Sequence, residues 1–212
     1  MEAWNGSNSL LRRRRYQSNG PGHSCAVEYY SRWRHQPLSR FWQIGINSVA
    51  MFRQLEINPL NKDAFAPFGD VIEIENAERL MINDGTAERY NDLADIDVAS
   101  DGGRPIISIF RGRRRRFDPS EPIEINMMER HPLGSQAFVP LQDAPYLVVV
   151  ARIADHIGPD DLYAFLAQGK QGVNYRRNLW HHPLLVLNDG HEFLVIDRGG
   201  PNDNCVEQYF TP

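Results

Sequence analysis

The chain of 212 residues contains only two cysteines, Cys25 and Cys205. So few cysteines exclude the disulfide-dense framework of a small secreted module and favour a reducing, cytoplasmic compartment. Long apolar runs are also missing, because the longest, residues 146–151, has only six residues. A membrane-spanning helix needs roughly 20 apolar residues. We therefore expect a globular cytoplasmic protein without a membrane segment.

The first fifty residues differ from the rest in charge and pattern. They hold seven arginines and two acids, whereas residues 51–212 hold 16 basic and 25 acidic side chains. They show neither the alternation of a strand nor a helical stripe of useful length. We interpret residues 1–50 as a basic, disordered extension or as sequence upstream of a true start at Met51. The alternatives are an organelle transit peptide or a nucleic-acid contact through the basic residues 12–15.

Residues 51–212 are predicted to form one all-β domain. Their short runs are rich in Val, Ile, Phe or Tyr and bounded by Pro, Gly, Asn or Asp. The predicted strands are residues 52–57, 71–74, 105–111, 123–131, 135–141, 146–153, 179–187, 192–197 and 204–210. Because crossover helices are nearly absent, this pattern predicts a closed antiparallel sandwich or barrel, with a ligand cavity at one mouth.

One or two short helices complete the prediction. Asn61 is expected to cap a single helical turn over residues 62–66. A second helix is predicted after Asp160 or Asp161, because Leu162, Phe165 and Leu166 recur at the spacing i, i+3 and i+4.

The most informative segment is residues 129–136 (Glu-Arg-His-Pro-Leu-Gly-Ser-Gln). Side chains alternate faces on a strand, so Glu129 and His131 project together while Arg130 points away. A tight turn at Pro-Leu-Gly then brings Gln136 back on the next strand.

A second polar cluster occupies residues 180–183 (Trp-His-His-Pro). Here Trp180 and His182 are predicted to share one face of the strand and His181 to point to the other. We place His182 on the surface or behind the site. Glu129, His131, Gln136 and His181 could therefore surround one point of the barrel, as acid–base groups or metal ligands. The alternative is that the histidines are ordinary hydrogen-bonded core residues.

Three segments together resemble the ureidoglycolate lyase family. They are residues 129–141, residues 171–175 with 180–184, and residues 193–200. The resemblance extends from Met51 to about Phe210. It implies a cupin-like β-barrel, a homodimer, and cleavage of (S)-ureidoglycolate into glyoxylate and urea during allantoin breakdown.

The same resemblance implies roles for the polar residues. Glu129, His131 and His181 are the expected catalytic residues. The ligand positions of a metal cupin correspond here to Glu129, His131, Gln136 and His181. Because Gln is a weak neutral donor, the expected cofactor is at most a loosely bound, nickel-like divalent ion.

Substrate binding is expected to involve a guanidinium that holds the substrate carboxylate. The expected substrate-binding residues near the motif segments are Gln136, Arg89, Tyr90, Arg176 and Arg198. Arg111 also lies near a motif.

Arg198 also has a structural interpretation, in which it pairs with Asp197 or caps the turn at residues 199–200. The family pattern would have histidine where this chain has Asn91 and Arg176.

The reaction needs only acid–base groups. Ureidoglycolate carries a hydroxyl, a carboxylate and a ureido nitrogen on one carbon, so elimination removes the hydroxyl proton as the C–N bond breaks. We expect His131 or Glu129 to take that proton, and His181 or a water molecule to serve the ureido nitrogen.

Two other functions are compatible with the same residues. One is a metal-dependent cupin oxygenase or isomerase acting on a related hydroxy acid. The other is a non-catalytic barrel that binds a small carboxylate. The arginine-rich residues 111–116 are predicted to be a solvated loop, and no nucleic-acid partner is expected.

Overall fold

The computed structural model describes residues 44–48, 51–114 and 123–210, with side chains from Gln54 onward. The described residues form seventeen mostly short strands, in chain order β1 Ile44–Ser48, β2 Met51–Leu55, β3 Ile57–Pro59, β4 Gly69–Ile72, β5 Arg79–Ile82, β6 Ala87–Tyr90, β7 Arg104–Arg111, β8 Ile123–Glu124, β9 Met127–Arg130, β10 Gln136–Pro140, β11 Tyr146–Ala151, β12 Leu162–Ala167, β13 Gly172–Tyr175, β14 Trp180–His181, β15 Leu185–Val186, β16 Glu192–Gly199 and β17 Val206–Tyr209.

The N-terminal fifty residues are described only in part. β1 falls within them and pairs antiparallel with β2. The sequence pattern did not predict β1. Residues 1–43 and 49–50 lie outside the described residues. The interpretation of this segment as an extension stays a prediction.

One α-helix is present among the described residues, α1 at Lys62–Phe65. Its N-cap is Asn61, whose side-chain oxygen accepts a hydrogen bond of 2.9 Å from the backbone N–H of Ala64. This satisfies a helix donor that would otherwise lack a partner. The predicted helical turn and its cap are confirmed.

The second predicted helix is wrong. Pro159–Asp161 forms one 3₁₀ turn, and the apolar residues after it form β12. This strand pairs with β11 on one side and with β3 on the other. Both of its faces are buried, so nearly every position is apolar, and the helical spacing was a coincidence of that run.

Two large sheets dominate the architecture. The five-stranded sheet has the order β4-β13-β10-β16-β7, and the seven-stranded sheet has the order β17-β9-β14-β11-β12-β3, with β15 also pairing with β11. A three-stranded sheet, β2-β1-β8, and the hairpin β5-β6 are separate. Most pairings are antiparallel, as predicted, although β12–β3 and β1–β8 are parallel.

The two large sheets face each other across a buried apolar cluster. Phe138, Val173 and Phe193 from the five-stranded sheet pack there with Val148 and Phe165 from the seven-stranded sheet. We call this space between the two sheets the interior. The architecture is an all-β, cupin-like fold, as the sequence predicted.

The continuous apolar sequence of β11 follows from its position. Tyr146, Val148 and Val150 face the interior, whereas Leu147 and Val149 join a second apolar cluster on the outer face of the same sheet. A strand buried on both faces cannot show alternation. Within the described part of the chain, no helix is long and apolar enough to cross a membrane.

Candidate active site

Glu129 and His181 are directly paired across two neighbouring strands. Glu129 lies on β9 and His181 on β14, and the two residues are partners in the register. His181 also pairs with Val150, an interior residue of β11, and paired residues share a face. Both side chains therefore point into the interior, where His181 Nε2 lies 3.6 Å from Glu129 Oε1.

His131 completes a compact group with these two residues. Its ring centroid lies 5.1 Å from that of His181. The ligand atoms of Glu129, His131 and His181 all lie within 4.8 Å of one another. We call these three residues the Glu-His-His cluster.

Backbone carbonyls hold both imidazoles in place. His131 Nδ1 lies 2.6 Å from the carbonyl oxygen of Asn204, and His181 Nδ1 lies 3.0 Å from that of Leu179. A carbonyl oxygen only accepts hydrogen bonds, so each Nδ1 carries the proton and donates it. Each Nε2 then keeps its lone pair, and both Nε2 atoms are buried without a hydrogen-bond partner among the described residues.

The surroundings shift the pKa values of the cluster. Burial alone would raise the pKa of Glu129, but the imidazole of His181, with His131 and His182 beyond it, outweighs burial and lowers that pKa. Burial lowers the pKa of His131, and His181 adds to this effect. Glu129 is therefore ionised and His131 neutral near pH 7.

Gln136 joins the cluster from the opposite sheet. It begins β10 and pairs with Tyr175 on β13, whose ring stacks on His181 at 4.4 Å between centroids. Gln136 is buried, and its Oε1 also lacks a partner among the described residues. The four residues that the sequence grouped are thus brought together at one end of the interior.

This donor set fits a divalent metal ion. The Glu-His-His cluster has ligand-compatible spacing, and a histidine that binds metal through Nε2 typically donates its other N–H to a carbonyl or carboxylate. The buried acceptor atoms without partners among the described residues include Nε2 of His131, Nε2 of His181 and Oε1 of Gln136. These residues could hold a divalent metal ion.

Three neighbours of the cluster were not identified from the sequence. Tyr175 stacks on His181, and burial raises the pKa of its hydroxyl. Asn204 binds His131 through its carbonyl and Leu133 N–H through its side chain, at 2.7 Å. Cys205 Sγ lies 3.8 Å from Glu129 Oε2. Tyr175 was visible as part of a motif, but the roles of Asn204 and Cys205 depend on pairing between β17 and β9.

His182 is buried, so the surface position expected for it is wrong. Its backbone N–H donates to the carbonyl of Val149. The expectation that it lies behind the site agrees with its electrostatic effect on Glu129.

The other expected substrate-binding residues lie apart from the cluster. Arg89 and Tyr90 belong to β6 of the separate hairpin, where the Tyr90 hydroxyl donates to Glu88. Arg176 is exposed and donates to the carbonyl of Ala66. It lines a surface cavity of about 550 Å³ with Asn91.

Arg198 has structural contacts. Its guanidinium donates to the carbonyls of Pro201, Ser100 and Asp101, and only 8% of the residue is exposed. Because Phe193 and Val195 point into the interior, strand alternation places Arg198 on the opposite face of β16. Its contact with Pro201 matches the turn-capping interpretation.

The arginine-rich run is described only at its start. Arg111 ends β7 and forms an ion pair of 2.6 Å with Glu192. Arg113 and Arg114 are exposed, as expected for a solvated loop, and Arg115 and Arg116 lie outside the described residues.

Comparison with known proteins gives one consistent result. The family model described as ureidoglycolate lyase matches residues 52–212. The chain belongs to the ureidoglycolate lyase family. It is 55% identical over 157 residues to the ureidoglycolate lyase of Brucella melitensis biotype 2 (strain ATCC 23457), covering 74% of this chain and 90% of that protein. It is 53% identical over 156 residues to that of Burkholderia mallei (strain NCTC 10229), covering 74% and 89%.

Membership of this family makes the chain a lyase and its ligand a small-molecule substrate. Neither the oxygenase or isomerase alternative nor the non-catalytic barrel finds support in these relatives. The predicted family is confirmed.

Proposed function

We propose that this chain cleaves ureidoglycolate, of the (S) configuration, into glyoxylate and urea during allantoin breakdown. The observation that carries the proposal is the pair of buried imidazoles whose Nε2 lone pairs lie beside Glu129. The relatives named ureidoglycolate lyase support the same substrate.

Acid–base chemistry follows from the protonation states. His131 is neutral, because burial and His181 lower its pKa, so its Nε2 can take the proton of the substrate hydroxyl. Glu129 stabilises the imidazolium that forms, since the carboxylate is ionised.

The proton then returns to the leaving group. The C–N bond breaks as the carbinol oxygen becomes the carbonyl of glyoxylate, and the ureido nitrogen gains a proton to give urea. His181, 5.1 Å from His131 between ring centroids, uses the lone pair of its Nε2 to relay the proton held by His131 to that nitrogen, directly or through water. One proton moves from oxygen to nitrogen, so the reaction needs no covalent intermediate.

A loosely held, nickel-like divalent ion is part of the proposal. Glu129, His131, His181 and Gln136 would hold it in a separate, metal-bound state, in which the ion would polarise the substrate hydroxyl and lower the pKa of that group. Calorimetric titration of Ni²⁺ into the metal-stripped protein should give binding that His131→Ala weakens at least ten-fold. Equal binding by both proteins would contradict this ligand set.

The activity is tested by measuring urea and glyoxylate together. Purified protein should release them in equal amounts from (S)-ureidoglycolate. Glu129→Gln keeps the size of the side chain but removes its charge, so kcat should fall at least ten-fold while the Tm changes little. Near-normal turnover in this variant would contradict the assigned role of Glu129, and no urea from the wild-type protein would contradict the function.

We also propose that the protein is a homodimer. Ile107 and Ile109 on the edge strand β7 are 70% and 55% exposed, and Met81 on β5 is 55% exposed. Apolar side chains concentrated on exposed elements favour burial against a second copy. Light scattering should give about twice the chain mass, and Ile107→Lys with Ile109→Lys should shift the protein towards monomer.

The proposed compartment is the cytoplasm. Cys205 is a free, exposed thiol, which suits a reducing compartment. Fractionation of the source cells with an antibody to the protein tests this assignment.

A further inference from the structure

Asp197 is a half-buried carboxylate that the proposed chemistry does not use. It lies on β16, where Phe193 and Val195 are fully buried and face the interior. Because side chains on a strand alternate, Asp197 shares the face of these two residues. It therefore projects into the space between the sheets, as Gln136 does.

The strand pairing places Asp197 next to Gln136. Ala137 pairs with Ile196 in the antiparallel register of β10 and β16, and continuing this register by one position would set Gln136 opposite Asp197. Directly opposed residues have Cβ atoms about 5 Å apart. Gln136 in turn pairs with Tyr175, which stacks on His181. Asp197 thus lies on the same wall as Gln136, beside the Glu-His-His cluster.

One oxygen of this carboxylate lacks a donor. Asp197 Oδ1 is buried and has no hydrogen-bond partner among the described residues. The adjacent Arg198 does not supply one, since its three hydrogen bonds go to the carbonyls of Pro201, Ser100 and Asp101. Leaving a buried acceptor unpaired is costly, and such groups in native proteins call for an explanation.

The chemistry of the substrate supplies donors of the right kind. The two ends of ureidoglycolate differ, because its carboxylate only accepts hydrogen bonds whereas its planar ureido group presents N–H donors on both nitrogens. An interior carboxylate repels the first end and accepts from the second.

We propose that Asp197 binds the ureido N–H groups of the substrate and so selects the leaving group. This inference rests on the proposed function. Asp197 orients the molecule with its ureido end towards β16, which leaves the carbinol hydroxyl for the Glu-His-His cluster. Asp197 is a specificity-determining residue, and proton transfer remains with the cluster.

Two unreactive ligands test this assignment without turnover. Hydantoate has the carboxylate and ureido groups but no hydroxyl, and N-acetylglycine replaces its terminal NH₂ with a methyl group of similar size. Calorimetry on the wild-type protein should show hydantoate binding at least ten-fold more tightly. Equal affinities would overturn the proposal, and this result does not depend on any variant.

The matched variants are Asp197→Asn and Asp203→Asn. Asp203 is exposed outside the interior, so its substitution should leave the preference for hydantoate unchanged. Asp197→Asn should reduce that preference to less than three-fold while a melting curve shows a folded protein. Retention of the full preference in Asp197→Asn would overturn the role of Asp197.

These measurements also separate this inference from the proposed function. A wild-type protein that prefers hydantoate through Asp197 but releases no urea would contradict the lyase activity alone. A protein that releases urea normally, with the same KM in Asp197→Asn and wild type, would contradict only the role of Asp197.

Discussion

Polar side chains in the interior, at the Glu-His-His cluster, differ in their hydrogen bonding from those on the separate β5-β6 hairpin. In the interior, His131 and His181 are each held by a backbone carbonyl, and their Nε2 atoms have no described partner. On the hairpin, Arg79 pairs with Glu88, and the Tyr90 hydroxyl donates to the same carboxylate group. The hairpin groups satisfy one another at the surface, whereas the interior groups retain unused bonding capacity that a ligand can use.

The largest effect should come from removing an interior imidazole. His131→Ala or His181→Ala should lower kcat by about 10²–10⁴-fold, the usual contribution of an acid–base group. The control is His156→Ala, because His156 is exposed away from the interior, and it should leave kcat unchanged. Steady-state urea release measures all three, and a loss in His156→Ala similar to that in the others would break the comparison.

Arg198→Ala should affect stability more than catalysis. The change removes three charge-assisted hydrogen bonds from a buried side chain, and we expect a loss of about 2–4 kcal/mol in the free energy of unfolding. Guanidinium denaturation measures this loss, with exposed Arg113→Ala as the control. If kcat/KM fell instead while stability stayed constant, Arg198 would be a substrate ligand.

The stability of the protein should depend on pH through His131 and Glu129. The pKa of His131 is lower in the folded protein than its usual value of 6.5, so the unfolded chain takes up a proton first. The contribution of His131 to the free energy of unfolding is present above pH 6.5. It is lost as the pH falls through the lower pKa that His131 has in the folded protein. The pKa of Glu129 is also lowered in the folded protein, so its contribution to stability is likewise lost as the pH falls below about 4.5.

Denaturation between pH 8 and 5 tests this direction. His131→Gln should flatten the stability curve below pH 6.5, whereas the exposed control His156→Gln should retain the wild-type slope. A wild-type protein that became more stable on acidification in this window would contradict the assigned shift.

The smallest effect is expected at the outer arginines. Arg89→Ala and Arg176→Ala remove exposed groups that the structure does not bring to the cluster, so the KM for ureidoglycolate should change less than three-fold. A rise of ten-fold or more in either variant would make that arginine the ligand of the substrate carboxylate.

The local sequence pattern was sufficient to predict several features of this protein. Alternation on residues 129–131 placed Glu129 and His131 on one face, and the Asn61 cap predicted α1. The same reasoning failed at β12, because a strand buried on both faces contains apolar residues at helical spacing by chance. The motif that includes Tyr175 was visible, but its stacking on His181 was not, since that contact joins the two sheets.

By itself the sequence determined the β-rich class, the family, and which polar side chains share a strand face, because these depend on backbone alternation and on short motifs. Only the tertiary structure decided that Arg198 binds the carbonyl of Pro201, that Asn204 holds His131, and that Ala137 pairs with Ile196. The physical reason is that strand register and sheet facing arise from pairing between residues far apart in the chain.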